Sequence, residues 1–219
     1  LLLSAYDAAS HQYWRNGLVN AFSQHSWTVL TLPARFFSWR IRGNSLTWAF
    51  SNRNELEQQY DLIIATSMTD LSSLRGFVPS LANIPTIVYV HENQFAYPCS
   101  GKEYASVEPQ IVSIYTALAS DKLVFNSKYN HDTFMHGTQA LLKKLPDQVP
   151  KGLVELLEHK SSVINVPVAD HAFLPSIPQT GALQIVWNHR WEWDKGPKLL
   201  FQALQQLVDQ NVDFKISVV

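Results

Sequence analysis

The sequence predicts an α/β protein: a doubly wound parallel sheet, followed by the first β-α-β of a second such unit. Three observations carry this. Short apolar runs recur at residues 1–5, 27–32, 61–66, 86–90, 122–125 and 162–166. Several are bounded by polar residues or proline, as parallel strands buried on both faces are. Helical periodicity fills the intervals, and the alternation restarts at 183–187 after a proline-bearing stretch. Alternating strands and helices argue for a parallel sheet with helices on both faces.

The elements follow in order. Residues 12–24 place Trp14, Leu18, Ala21 and Phe22 on one helical face. Asp70 stands where it can cap a helix over 71–77. Residues 109–118 read as a helix with Ile111, Ile114, Tyr115 and Leu118 inward, and 129–142 and 153–159 as two more. The strand at 162–166 ends at Pro167, which sets an N-terminal Rossmann-like domain, complete or nearly so, at 1–168. Residues 169–182 contain Pro175, Pro178 and Gly181 with little periodicity, so they read as a linker. Residues 183–219 start a second Rossmann-like domain. There Pro197 suits a first helical turn, Leu199, Leu200, Ala203, Leu204, Leu207 and Val208 form one stripe, and 214–219 begin another strand.

Composition narrows the class. The 219 residues are 46% hydrophobic with a net charge of −1, a balance that favours neither nucleic acid nor a membrane surface. Cys99 is alone, which excludes a disulfide framework and a cysteine metal site and suggests a reducing, cytoplasmic setting. No apolar run approaches the ~20 residues of a membrane span. Leu1-Leu2-Leu3 leads straight into Tyr6-Asp7 and reads as a strand rather than a leader. The missing initial Met suggests trimming at this end too. Charge is uneven, however. From Ala8 to Asn54 there is no Asp or Glu, while Arg15, Arg35, Arg40, Arg42 and Arg53 all fall there.

In doubly wound sheets ligands bind at the carboxyl ends of strands. Four turns therefore matter. After the first strand, Ser10 and His11 open a helix and can donate to a sugar or phosphate, or Ser10 can simply cap the helix. The turn lacks glycine and is no dinucleotide fingerprint. After 86–90 come His91, Glu92, Asn93 and Gln94. Four successive polar groups at a strand end are costly unless satisfied or used. No second His follows at zinc-protease spacing, and His131 and His136 read as surface residues. After 122–125, Asn126 and Ser127 fit either a ligand hydroxyl or a helix cap. After 183–187, Arg190 and Lys195 sit on a strand-to-helix turn, where two cations beside a helix N-terminus suit a diphosphate. Residues 33–44 interleave Arg35, Arg40 and Arg42 with Phe36, Phe37 and Trp39. That mixture suits RNA phosphates and stacked bases, or else a loop with aromatics packed inward and solvated arginines. No Asp-x-Asp pair occurs to hold a metal–diphosphate, and no strand–GxSxG–helix is present.

Together these residues carry a resemblance. Arg190-x4-Lys195-Gly196 at the first βα turn of a second Rossmann-like domain resembles the retaining GT-B glycosyltransferases. More narrowly, the chain resembles the tRNA-queuosine mannosyltransferase family. The matching pieces are Thr31-Leu32-Pro33-Ala34 with Trp39-Arg40, His91-Glu92-Asn93-Gln94 with Tyr97-Pro98, Phe125-Asn126-Ser127, and Trp187-Asn188-His189-Arg190-Trp191-Glu192 with Asp194-Lys195. The His-Glu-Asn-Gln and Trp-Asn-His-Arg-Trp-Glu runs are specific; the others are weak alone.

The resemblance implies a GT-B pair of facing domains, the first holding the acceptor and the second the nucleotide-sugar. The implied reaction moves mannose from GDP-mannose to queuosine in a tRNA anticodon, with retention, no metal and no further cofactor. It implies donor-diphosphate binding by Arg190 and Lys195, and places His91 and Glu92 at the reacting centre. Ser10, His11, Asn93, Gln94, Asn126 and Ser127 would bind acceptor or sugar. Arg35, Trp39, Arg40 and Arg42 are candidates for RNA contact on composition alone. Members usually carry a Gly-Gly-Ser-His first turn where this chain has Ala8-Ala9-Ser10-His11. The ribose-gripping acidic motif of GT-B enzymes would lie beyond residue 219, so the chain is expected to be an inactive fragment. The alternatives are a GT-B transferase with a glycan or lipid acceptor, and a non-catalytic tRNA-binding module.

Overall fold

A computed structural model describes residues 1–96, 107–174, 181–189 and 191–219, with the Trp193 side chain excepted. The chain divides near residue 168 into two compact units.

The first unit is a six-stranded parallel sheet. Its strands are β1 (Leu2–Ser4), β2 (Val29–Thr31), β3 (Ile63–Thr66), β4 (Thr86–Val90), β5 (Lys122–Phe125) and β6 (Ser161–Val163). They lie in the order β2-β1-β3-β4-β5-β6, and every pairing is parallel. Strand order reverses between β1 and β3, the kind of switch point where open α/β sheets part to admit ligands. Leu3, Ala65, Val88, Leu123 and Phe125 run through the sheet's buried centre, covered by Trp48, Leu71, Leu74, Val112, Phe134 and Leu157 from the helices.

The helices are α1 (Ala9–Ala21), α2 (Phe37–Ser51), α3 (Arg53–Leu56), α4 (Leu71–Phe77), α5 (Glu108–Ala119), α6 (Lys128–Leu142) and α7 (Leu153–His159). Two departures from the sequence reading have physical causes. The first helix, expected over 12–24, starts three residues earlier. The turn after β1 is so short that Ala9 and Ser10 are already helical, so Ala8 occupies the cap position and no side chain caps it. Residues 37–44 belong to a helix rather than a loop. Its periodicity is hidden because its buried face is polar as well as apolar: Arg40, Asn44 and Ser45 lie beside Ile41 and Trp48.

Asn44 explains that polar face. It is fully buried. Its Nδ2 donates to the carbonyls of Arg40, Ile41 and Met68 at 2.8, 3.1 and 3.1 Å, and its Oδ1 accepts from the Asp70 N–H at 3.0 Å. One amide thus ties α2 to the β3–α4 turn. Asp70 in turn caps α4, accepting from the Ser73 N–H at 3.2 Å as expected, and receives Arg42 at 2.9 Å.

At the amino ends of the strands, Arg75 and Lys160 satisfy carbonyls at the end of α5. Arg75 donates to Ala119 and, at 2.8 Å, to Ile84; Lys160 donates to Leu118 and Ser120. Burial draws both cations below their ordinary pKa, with Asp121 opposing it. These charges are spent on the fold.

The second unit opens with a 3-10 turn at Asp170–Ala172. It continues with β7 (Leu183–Trp187), a 3-10 turn at Trp193–Lys195, α8 (Pro197–Asp209) and β8 (Phe214–Val218). Strands β7 and β8 pair in parallel from Leu183↔Phe214 to Trp187↔Val218. No helix among the described residues is long and apolar enough to cross a membrane.

Asn44→Ala would strand the Met68 carbonyl and the Asp70 N–H inside the protein, at a cost of about 2–4 kcal/mol. Urea unfolding should show a clearly lower midpoint with an unchanged slope; a midpoint within error of the parent would contradict this role.

Candidate functional site

Three turns meet at the carboxyl edge of the first unit's sheet. Asp7, just past β1, is fixed by Arg15, which donates to its two carboxylate oxygens at 3.2 and 2.9 Å. Ser4 adds a bond at 2.8 Å. Helix α1 then presents His11 and Trp14, one turn apart, to the end of β4. Trp14 stacks on Tyr89 with centroids 4.3 Å apart. His11 stacks on His91 at 4.0 Å and 17°, and Trp14 meets His91 edge-on at 4.9 Å. His11 Nε2 lies 3.2 Å from a Glu92 carboxylate oxygen. The His11 side chain is 3% exposed and that of Glu92 38%.

The turn carrying His91 and Glu92 is fastened to α6. Asn93 is buried. Its Nδ2 contacts the Asn130 carbonyl, Asn130 Oδ1 and Thr133 Oγ1 at 3.0, 2.7 and 3.0 Å. Its Oδ1 accepts from the Phe95 and Ala96 N–H groups. Asn130 also donates to the Val90 carbonyl at 2.8 Å, and Asn126 to that of His91 at 2.6 Å. Phe95 lies against bare α6 backbone, since a Cβ added at Gly137 would come within 2.4 Å of the Phe95 side chain.

This framework leaves His91 with an unusual imidazole. Its Nε2 is buried without a hydrogen-bond partner, as is His11 Nδ1. Burial, helped by the neighbouring His11, pushes the His91 pKa down to about 3. His91 is therefore neutral near pH 7, with one ring nitrogen carrying a hydrogen and the other a lone pair.

The candidate residues divide accordingly. His11, His91 and Glu92 come together. Asn93 is consumed by the fold, so it is not free to grip a ligand. Ser127 caps α6, its Oγ accepting from the Asn130 N–H at 3.1 Å, and Asn126 braces the His91 carbonyl. Gln94 reaches Met68 Sδ at 3.7 Å and is half-buried. Ser10 is exposed in the first turn of α1 and caps nothing.

The basic segment is largely neutralised. Arg40 is buried at 7% exposure, which leaves it no route to an RNA phosphate and removes it from that set. Arg42 pairs with Asp70 and Glu108 at 2.9 and 3.1 Å. Arg35 remains exposed over the Phe36 ring, and Trp39 is 53% exposed. His131, read as a surface residue, is largely covered: it lies 3.0 Å from both Asp132 and Glu158 and packs edge-on against Phe125. His136 is exposed.

In the second unit, Lys195 is exposed and donates to the adjacent Asp194 carboxylate at 2.8 Å. Trp191 tilts over Trp187 with centroids 4.9 Å apart and stacks on Phe201 at 6.4 Å. Arg190 lies outside the described residues, as do Tyr97, Pro98 and Cys99. Among the described residues no group of three His, Cys, Asp or Glu side chains is placed to hold a metal ion.

Sequence reasoning missed Trp14, Asn130 and Thr133 as parts of this site. Trp14 did carry a signal, since it lies three residues after His11 on the same helical face. Nothing local marked the Asn130 side chain as a support of the turn, since its bonds to Asn93 and Val90 span 37 and 40 residues.

Residues 1–168 match the family model described as tRNA-queuosine alpha-mannosyltransferase N-terminal. A curated tRNA-queuosine alpha-mannosyltransferase of Drosophila melanogaster is 30% identical over 228 residues, covering 100% of this chain and 60% of that protein. The chain thus spans about 60% of the length of the relative it matches.

The His91 shift has a sign that can be tested. An unfolded chain binds this proton near the ordinary imidazole value of 6.5, and the folded chain only near 3. The stability tied to neutral His91 is whole above pH 6.5 and is lost as pH falls toward 3, at up to about 1.4 kcal/mol per pH unit. His91→Gln should flatten that loss in urea midpoints taken across this window. Identical pH slopes in parent and variant would contradict the assignment.

Proposed function

The chain belongs to the tRNA-queuosine alpha-mannosyltransferase family, and on that premise we propose that it supplies the acceptor side and the start of the donor side of a GT-B mannosyltransferase. The reaction moves mannose from GDP-mannose to queuosine in a tRNA anticodon, with retention and without a metal. A tRNA substrate and a lone thiol suit a cytoplasmic enzyme. The observation that carries the reading is the largely covered, neutral His91, stacked on His11 beside Glu92 at the carboxyl edge of the sheet.

The roles follow from the chemistry of each group. His91 meets a sugar or diol hydroxyl with an uncharged nitrogen, so no buried charge must be compensated. Glu92, held through His11, keeps part of its carboxylate open to accept from a hydroxyl of the acceptor. Retention leaves both substrates on one face of the sugar, where the departing diphosphate can accept the acceptor's proton. Negative charge then grows on that diphosphate. Arg190 and Lys195 neutralise it as the bond breaks, an electrostatic contribution. Lys195 now rests on Asp194, a contact a diphosphate would displace. Within the acid-free stretch from Ala8 to Asn54, Arg35 is the exposed arginine without a carboxylate partner among the described residues, and it is the one offered to RNA phosphate.

The test uses the full-length protein with GDP-mannose and queuosine-containing tRNA, and mass spectrometry of the digested nucleosides. Queuosine should gain one hexose. Arg190→Ala should abolish the gain, and Lys195→Ala should slow it by about 10²-fold, the loss typical of one electrostatic donor. Absence of a hexose despite bound tRNA would contradict the reading. Affinity for the acceptor should also fall steeply with salt, as phosphate contacts require; a salt-insensitive acceptor would point to a glycan or lipid.

A further inference from the structure

We propose that Trp39, laid on Gly43 beside Arg35, is a stacking platform for an unpaired base of a single-stranded RNA loop. The inference rests on the reading of the acceptor as tRNA and adds how the loop is gripped.

Trp39 and Gly43 lie one helical turn apart on α2. A Cβ added at Gly43 would come within 2.3 Å of Trp39 Cε2 and 2.5 Å of Cζ2, so the indole lies against bare helix backbone. Only glycine permits that approach. One side of the ring is occupied, yet the residue stays 53% exposed. An aromatic surface held from behind loses little freedom when a base stacks on its front.

The surroundings favour a polyanion carrying aromatic rings. Phe36 and Phe37 are exposed at 70% and 37%. Phe36 takes a left-handed backbone, φ 55 and ψ 55, an unfavourable conformation for a bulky residue that opens α2. Its ring lies 5.5 Å beneath the Arg35 guanidinium. No acid occurs between Ala8 and Asn54. Acids from outside that stretch neutralise Arg15, Arg42 and Arg53, and Arg40 is buried. Among the described residues Arg35 has no carboxylate partner. Sugars also stack on indoles, but the nearest described carboxylates, Asp70 and Glu108, are already paired with Arg42.

The patch is joined to the first turn of the candidate site through one ring contact. Phe37 meets Tyr6 edge-on with centroids 6.0 Å apart, and Tyr6 immediately precedes the turn that leads to His11. On this proposal a base on Trp39 is a neighbour, in the same loop, of the nucleotide presented to His91 and Glu92.

The experiment measures binding of fluorescein-labelled stem-loop RNA and of fully paired duplex RNA to the full-length protein. Trp39→Ala should weaken stem-loop binding at least about fivefold, the lower end for one stacked base, and leave duplex binding unchanged. Trp39→Phe should restore most of the affinity. Trp39→Ala should leave the salt slope as it was, whereas Arg35→Ala should lower it by about one unit. Equal loss of both RNAs, no loss of either, or competition by a neutral oligosaccharide at the same patch would overturn the proposal. The two readings fail separately. Hexose transfer with an unaltered KM for tRNA in Trp39→Ala sinks the platform alone. Trp39-dependent loop binding without transfer sinks the mannosyltransferase reading alone.

Discussion

The buried contact between the side-chain amides of Asn93 and Asn130 holds in place the turn on which the candidate site depends. A strand that ends in four polar residues has backbone groups to satisfy and no helix of its own to do it. Here the neighbouring helix does so. Asn130 covers the Val90 carbonyl, Asn126 the His91 carbonyl, and Asn93 folds back on its own chain while donating to α6. Phe95 on Gly137 closes the far end of the turn. With those groups paired, His91 can be buried against His11 and Trp14 without flexing, and Glu92 is left at the rim. Networks of this kind are stable when every member is satisfied and costly when one is removed.

The same logic governs the charges. A stretch with five arginines and no acid reads, in sequence, as a positive surface. In the folded chain it is mostly a set of structural pairs, because helices α2 and α4 and the turn after β1 bring Asp7 and Asp70 to it. What survives as chemistry is small and local: Arg35, with exposed aromatic rings beside it. The opposite edge of the sheet carries Arg75 and Lys160, both committed to backbone carbonyls at the end of α5.

Much of the fold was legible from periodicity. Buried parallel strands announce themselves as apolar runs, and all six strands of the first unit fall within the stretches read from sequence, except that β6 begins one residue earlier. The Asp70 cap and the turn positions of His91 and Glu92 were equally plain, since caps and strand ends are local. Helix α2 was not, because its buried face holds Arg40, Asn44 and Ser45 beside Trp48, so no apolar stripe marks it. Nor could the sequence separate Asn93 from His91 within one polar run. That division depends on Asn130 and Thr133, brought alongside only by the parallel pairing of β4 and β5. The pairing of His11 with Glu92 spans 81 positions and is likewise a product of topology.

The central claim is that the turn after β4 divides its labour, with His91 and Glu92 working and Asn93 holding them. A double-mutant cycle on hexose transfer to queuosine tests this most directly, because Asn130 lies behind the turn and would touch no ligand. Asn93→Ala and Asn130→Ala should each slow transfer, and the double variant should be slowed by less than the product of the two factors, as residues sharing a contact are non-additive. Full transfer in Asn130→Ala with transfer lost in Asn93→Ala would show instead that Asn93 itself contacts substrate, and the account would be wrong.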